Sequence, residues 1–212
     1  MDALVIEGGQ QLRGSVEVRG SKNAALPMMA AALLMDDGKL ILRRVPNLAD
    51  IKSMVLVLQQ LGVRIERRGD EMTLQVVSEK NCRASYELVS KMRASVCVLG
   101  PLVGKRRRAE VSMPGGCAIG DRPIDLHLKG IAALGATVAV ERGYVIASAR
   151  RLQGNSMYLG GQYGSTVTGT ENVMMAAVLA PGTTVIECAA CEPEVQEVAR
   201  LLVRMGARIE GI

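Results

Sequence analysis

The fold is decided by the segment Asn23-Ala-Ala-Leu-Pro-Met-Met-Ala-Ala-Ala-Leu33, an apolar helix built mostly from small residues. Two later segments, residues 93–102 and 172–179, have the same character. A helix that is apolar on all sides has to be buried, and small side chains allow two helix axes to approach closely. We therefore expect these three helices to pack against one another at the centre of the molecule.

Each of the three helices opens a repeated unit. A short strand follows the helix, and after a loop a second, amphipathic helix ends at a glycine, as helices commonly do. The predicted strands are residues 39–42, 109–112 and 183–187, and the terminal glycines are Gly62, Gly135 and Gly206.

A second strand follows each of these glycines, over residues 63–66, 136–140 and 207–210. The first two continue into hairpins with residues 72–77 and 144–147, which indicates antiparallel or mixed sheets rather than a doubly wound parallel sheet. One such unit cannot bury its apolar helix alone. The fold class is therefore α/β (α+β), with the first helices inside and the sheets around them.

Composition and charge limit the function. Almost half of the residues are hydrophobic, but there is no Phe or Trp and only four Tyr, which disfavours a surface that stacks nucleic-acid bases. The net charge of +5 suggests anionic ligands, although solvated Lys and Arg side chains explain it equally well. The five cysteines and the absence of a long apolar segment indicate a cytoplasmic protein, and the Cys188/Cys191 pair is interpreted as structural.

Residues 113–123 form a glycine-rich segment that carries Cys117 and, five residues later, Arg122. Its backbone can approach a ligand closely, the thiol can act as nucleophile or acid, and the arginine is a fixed cation. The combination points to chemistry on an anion. The alternative is a turn with a small buried Cys and a solvated Arg.

Lys22 and Arg93 occupy the same end of two repeated units, so that they converge with the glycine-rich loop if the units share a pseudo-threefold axis. Cations that converge without nearby carboxylates would form an anion site. Alternatively, Asn23 caps the first helix and both cations are solvated. The single histidine, His127, lies on a predicted helix, where it either assists Cys117 or has a capping or packing role.

At this level of detail the chain resembles the enolpyruvyl transferases, and within them the members that act on a nucleotide sugar. The resemblance rests on motifs that extend over nearly the whole chain in family order. These are Gly20-Ser-Lys22-Asn23-Ala24-Ala-Leu-Pro27, Met92-Arg93-Ala94-Ser95, Pro114-Gly-Gly-Cys117-Ala-Ile-Gly120, Arg122-Pro-Ile-Asp125-Leu-His127, Gly164-Ser-Thr-Val167 and Cys191-Glu-Pro-Glu194-Val195.

The resemblance implies two similar domains, each an inside-out α/β barrel of three βαβαββ repeats, with the active site in the cleft between them. Family members are about twice as long as this chain. Residues 21–212 would then form the three-repeat domain that carries the Cys loop. Residues 1–20 would be strands that normally belong to the second domain, which is absent.

The resemblance also implies an activity, the transfer of the enolpyruvyl group of phosphoenolpyruvate to the 3-hydroxyl of UDP-N-acetylglucosamine with release of phosphate, for peptidoglycan synthesis. No cofactor, metal, nucleic acid or membrane is implied. Cys117, which would also be the fosfomycin target, Lys22 and Arg122 correspond to catalytic residues. Substrate-binding positions correspond to Lys22, Asn23, Arg93, Arg122, Pro123, Ile124, Asp125, Leu126, Ser165 and Thr166.

Residues 160–169 depart from the commoner members, because this loop is slightly longer and lacks their lysine. Two other functions stay open. One is a catalytically inactive fragment that still binds the nucleotide sugar. The other is an enzyme of the RNA-cyclase type, which has a similar repeat architecture but should depend on a histidine for covalent chemistry.

Overall fold

A computed structural model describes residues 3–90, 92–113 and 123–212 of the chain. Helices and short strands alternate from Lys22 onward. The α-helices are α1 (Lys22–Ala31), α2 (Ala49–Gln60), α3 (Tyr86–Val89), α4 (Leu99–Arg106), α5 (Asp125–Ala133), α6 (Val167–Ala177) and α7 (Pro193–Arg204). The 3-10 turn Ala32–Leu34 extends α1, and a second 3-10 turn, Arg93–Val98, leads into α4.

The strands fall into sheets that follow the repeats. They are β1 (Leu40–Leu42), β2 (Val63–Arg68), β3 (Glu71–Val76), β4 (Arg83–Ala84), β5 (Arg108–Ser112), β6 (Thr137–Glu141), β7 (Tyr144–Ser148), β8 (Ser156–Tyr158), β9 (Gly160–Gly161), β10 (Gly164–Ser165) and β11 (Val185–Glu187). Their orders are β1-β3-β2, β4-β5-β7-β6, β11-β8 and β10-β9. The predicted hairpins are confirmed, because β2 pairs antiparallel with β3 and β6 with β7.

Helices α1, α4 and α6 form the interior, as predicted from their small residues. Every residue of α6 from Gly169 to Ala176 is buried. Helix α4 approaches α6 through glycines: a Cβ on Gly100 would lie 2.0 Å from the Asn172 carbonyl oxygen, and one on Gly104 would lie 3.0 Å from that of Ala176. No other residue type fits at position 100 without a shift of one helix.

The second repeat has the complete βαβαββ order, with β4 parallel to β5 across the inner helix and β5 antiparallel to β7. The predicted glycine stops are also confirmed, since Gly62, Gly135 and Gly206 all have positive φ at the end of a helix. These are left-handed conformations that glycine adopts at little cost.

One strand prediction is wrong, because residues 207–210 have no strand partner among the described residues, although Ala207 and Ile209 pack on the core. Residues 3–20 contain no secondary structure, and the expectation that residues 1–20 form strands with a second domain stays a prediction. The apolar side chains of Leu4 and Val16 are 93% and 89% exposed. The alternating pattern is present in both segments, but a strand forms only where a neighbouring strand accepts and donates its backbone hydrogen bonds.

Candidate functional site

The N-terminal ends of five helical segments meet at one cleft of about 910 Å³. Lys22 begins α1, Arg93 begins the second 3-10 turn, Asp125 begins α5 and Val167 begins α6, while Glu194 lies in the first turn of α7. Helix N-termini carry unpaired N–H groups and the positive end of the helix dipole. The cleft is therefore suited to bind an anion.

The structure brings most of the predicted site residues to this cleft. Ile124 is instead buried, and Cys117 and Arg122 lie outside the described residues. The predicted residues that line the cleft are Lys22, Asn23, Arg93, Pro123, Asp125, Leu126, Ser165 and Thr166. Their roles in binding and catalysis stay predictions.

Acidic side chains accompany the cations in the cleft. The Lys22 ammonium pairs with the Asp50 carboxylate of α2 at 2.8 Å, and the Asn23 amide donates to the Glu194 carboxylate at 3.3 Å. The expectation of cations without carboxylate neighbours is therefore wrong for Lys22. The ion pair with Asp50 orients the Lys22 side chain. Because both side chains are partly exposed, the pair adds little to the stability of the fold.

The segment before α6 is a tight hairpin, β9–β10, with Tyr163 exposed at its tip. Thr166 caps the helix: its hydroxyl accepts from the Gly169 N–H at 3.2 Å, and its carbonyl accepts from the Thr170 N–H at 2.9 Å. Among the described residues, nothing accepts from the N–H groups of Val167 and Thr168. These two donors are free for a ligand in the cleft.

Sequence reasoning missed a buried polar pair in α6, Glu171 and Asn172, which are 1% and 0% exposed. Neither carboxyl oxygen of Glu171 has a hydrogen-bond partner among the residues that the structure describes. Burial, reinforced by Glu194 and Glu192, raises the pKa of Glu171 to about 8. The carboxyl group is therefore neutral at pH 7. The available signal was a carboxylate next to an amide side chain, in an inner helix that has no other charged residue.

His127 on α5 is 2% exposed, and both ring nitrogens are hydrogen-bonded, one to Thr168 and the other to Asn172. Burial, with a smaller effect of Arg93 and against that of Asp125, lowers the pKa of His127 to about 4. The only histidine of the chain is thus a neutral, enclosed group. This arrangement does not support covalent chemistry at a histidine, on which the RNA-cyclase alternative depends.

The other features considered from the sequence do not form a second functional site among the described residues. Cys188 and Cys191 follow β11 as exposed free thiols, and their structural role stays a prediction. Within residues 3–90, 92–113 and 123–212, no group of His, Cys, Asp and Glu side chains could hold a metal ion. No helix in the same part of the chain is long and apolar enough to cross a membrane.

Comparisons with known proteins agree with this geometry. The family model of EPSP synthase (3-phosphoshikimate 1-carboxyvinyltransferase) matches residues 6–212. A UDP-N-acetylglucosamine 1-carboxyvinyltransferase of Akkermansia muciniphila is 50% identical over 212 residues, which are 100% of this chain and 49% of that protein. One of Desulfosudis oleivorans is 52% identical over 211 residues, again 100% of this chain and 50% of that protein.

Solved structures show the same fold. The enolpyruvyl transferase NikO from Streptomyces tendae superposes with a TM-score of 0.81 at 20% identity, over 96% of this chain and 47% of that one. An EPSP synthase from Acinetobacter baumannii superposes with a TM-score of 0.70 at 16% identity, over 94% of this chain and 45% of that one.

The chain spans about half the length of the curated relatives it matches. Because the family model of EPSP synthase covers residues 6–212, and because the fold superposes on those of solved enolpyruvyl transferases, the chain belongs to the EPSP synthase family.

Proposed function

We propose that this chain forms one side of the active site of an enzyme that transfers the enolpyruvyl group of phosphoenolpyruvate to the 3-hydroxyl of UDP-N-acetylglucosamine. The observation that carries the proposal is the identity of about half of all residues, over the full chain, with relatives named for this activity. The cleft supports it, because helix N-termini, Lys22 and Arg93 suit a ligand with several phosphates.

The reaction needs an acid, a base and anion clamps. A proton is added to the methylene carbon of phosphoenolpyruvate, and the sugar oxygen forms a bond to the carbon that bears phosphate as the hydroxyl proton leaves. The C–O bond to phosphate then breaks, phosphate departs, and the methyl group loses a proton to restore the double bond. Each step moves charge close to the phosphate and carboxylate, where fixed cations are most effective.

Lys22 and Arg93 supply cations on the side of the cleft that this chain forms, and Asp50 holds the Lys22 ammonium in place. Asn23 would contact the sugar close to its reacting hydroxyl, with Glu194 orienting the amide. Asp125 and Leu126, with Pro123 and the buried Ile124, would hold the uridine end, and Ser165 and Thr166 the diphosphate. Positions fixed in this way lower the entropy cost of bringing two substrates together.

Cys117 would transfer the proton to the enolpyruvyl group and Arg122 would bind phosphoenolpyruvate, in the loop that precedes Pro123. Nearby cations favour a thiolate and so lower the pKa of a cysteine. The proposal includes a cytoplasmic location, a role in peptidoglycan synthesis and sensitivity to fosfomycin.

The proposal also includes the domain organisation. Residues 21–212 form the domain with the Cys loop, and residues 1–20 pack with a second domain that closes the cleft. The exposed apolar side chains of Leu4, Val5 and Ile6 support this, because a group of exposed apolar side chains is typical of a surface that packs against a partner.

Covalent labelling by fosfomycin in the presence of UDP-N-acetylglucosamine tests the function at its reactive residue. We expect intact-mass spectrometry to show one adduct on the chain and none on Cys117→Ser, because a serine hydroxyl has a much higher pKa and is a poor nucleophile here. Cys191→Ser, which removes an exposed thiol, serves as the matched control and should label normally. An adduct that persists on Cys117→Ser would remove Cys117 from the proposed site.

A further inference from the structure

A buried hydrogen-bond chain joins α4, α5 and α6 behind the cleft. It runs from the Gly100 N–H to Asn172, from Asn172 to His127, and from His127 to Thr168 at the edge of the cleft. The proposed function assigns no role to the last three of these residues. The direction of each hydrogen bond can be worked out from groups whose roles are chemically fixed.

The orientation of the Asn172 amide is determined by two backbone groups. The Gly100 N–H can only donate, so the atom beside it is the Asn172 Oδ1 oxygen. The Val96 carbonyl can only accept, and the Asn172 Nδ2 amide donates to it at 2.8 Å. The second proton of the same NH₂ group is then directed to His127 Nδ1, 3.1 Å away.

The Asn172 amide in turn determines the tautomer of His127. Because Nδ1 accepts from the Asn172 NH₂ group, it carries no proton. The ring is neutral, since its pKa is lowered to about 4, so its single proton is on Nε2. His127 Nε2 therefore donates to the Thr168 Oγ1 hydroxyl, at 3.2 Å.

The chain ends at a hydroxyl whose own proton remains available. Thr168 Oγ1 accepts from His127, and no described residue accepts the Thr168 hydroxyl proton. Thr168 is half-buried, lines the cleft and lies in the first turn of α6, beside the free N–H groups of Val167 and of Thr168 itself. All of these donors are on the side of the cleft that Lys22 and Arg93 also line.

We propose that Thr168 is a specificity-determining hydrogen-bond donor to a phosphoryl oxygen of the ligand, and that His127 and Asn172 are positioning residues that orient this donor. A hydroxyl that accepts from the His127 N–H keeps its own proton for a ligand, and the His127 contact fixes the side of the oxygen from which that proton is donated. The inference rests on the proposed function, because it specifies how the chain binds the diphosphate of a nucleotide.

The tautomer can be measured directly, since His127 is the only histidine of the chain. Selective labelling with ¹⁵N-histidine yields the signals of one imidazole from the intact 212-residue protein. We expect a protonated Nε2 and an unprotonated Nδ1, with no titration between pH 8 and 5.5. A proton on Nδ1, or an imidazolium within this range, would overturn the inference, even if the protein binds nucleotides well.

The donor role is tested by calorimetric titration with UDP, pyrophosphate and uridine. Thr168→Val keeps the shape but removes the hydroxyl, and it should weaken UDP and pyrophosphate binding roughly tenfold or more, as expected for a hydrogen bond to a charged group. Uridine binding should not change. Thr168→Ser should restore the affinity, and Thr137→Val, on an exposed position of β6, should leave all three affinities unchanged.

The outcomes separate this inference from the proposed function. Normal binding of UDP by Thr168→Val would overturn the donor role of Thr168 and leave the nucleotide-sugar proposal standing. An equal loss for uridine would overturn it too, because the substitution would then act on the whole site rather than on phosphate. A wild-type protein that binds neither UDP nor pyrophosphate would contradict both proposals.

Discussion

Glu171 lies in the inner helix α6, and within the described parts of the chain neither of its carboxyl oxygens is hydrogen-bonded. The surrounding groups make an ionised carboxylate at this position still less favourable. Glu194 in the first turn of α7 and Glu192 just before that helix raise the pKa of Glu171, and the buried Cys97 thiol is also close to it. Burying a charge without a partner is expensive, so the group avoids it by binding a proton. Burying the neutral acid destabilises the fold less than burying the carboxylate would. Because the group has to keep its proton, the stability of the fold depends on pH.

We expect Glu171→Gln to change how stability depends on pH. Between the ordinary pKa of 4.5 and the folded value of about 8, the folded state binds a proton that the unfolded state has released, so stability falls as pH rises through this range. Glutamine is neutral at every pH. The stability of the variant should therefore not decrease with pH in this range. At pH 8.5 its free energy of unfolding should exceed that of the wild-type protein by about 1–3 kcal/mol.

Urea unfolding at pH 5.5, 7.0 and 8.5 measures this effect. The control is Glu141→Gln, an exposed position at the end of β6, which should retain the wild-type slope. If wild-type protein and Glu171→Gln have the same pH dependence of the unfolding free energy, Glu171 is not protonated in the folded state.

At the scale of elements, the packing of α4 against α6 depends on glycine. Replacing a helical Gly with Ala ordinarily stabilises a helix by about 1 kcal/mol. At Gly100 the new Cβ would lie 2.0 Å from a backbone oxygen of α6, so one helix has to move. We expect Gly100→Ala to lower the free energy of unfolding by about 2 kcal/mol or more.

Gly104 provides the matched comparison in the same helix. Its Cβ would lie 3.0 Å from the Ala176 oxygen, a tight contact that a small shift relieves. Gly104→Ala should therefore cost less than Gly100→Ala in thermal or urea unfolding. Equal effects of the two substitutions, or a more stable Gly100→Ala protein, would show that α4 and α6 are not held at this separation.

The sequence predicts correctly those elements that depend on their own residues or on a partner strand nearby in the chain. The small residues of α1, α4 and α6 and the glycine stops after α2, α5 and α7 carry their own structural preferences. Both hairpins succeed because the partner strand follows within a few residues. Residues 207–210 have an equally good strand pattern, yet a pattern alone does not supply a neighbouring strand.

At the scale of the whole molecule, the sequence motifs predict which residues line the cleft, but they do not predict how the charged side chains pair there. Lys22, Asn23, Arg93 and Asp125 could be assigned from motifs at the starts of helices, and they do meet. The pairing of Lys22 with Asp50 could not be predicted, because it joins α1 to α2 through a tertiary contact with no spacing rule. The same holds for the chain from Asn172 through His127 to Thr168.

The proposed activity requires a closed cleft. We expect that a chain of about half the length of its relatives cannot close the cleft by itself. The open cleft leaves its charges in contact with water, which weakens every interaction with developing charge in the transition state. We therefore expect the isolated chain to bind nucleotide but to turn over at least about 10³-fold more slowly than the closed site, because water exclusion and positioning both contribute.

The most direct measurement is phosphate release from UDP-N-acetylglucosamine and phosphoenolpyruvate. The assay compares the isolated chain, the chain mixed with the remaining half of its 50% identical Akkermansia muciniphila relative, and the same mixture made with Cys117→Ser. We expect each half alone to turn over at least about 10³-fold more slowly than the mixture, and the mixture with Cys117→Ser to be inactive. Turnover by the isolated chain at an ordinary enzyme rate, or an inactive mixture of two folded and associated halves, would contradict this expectation.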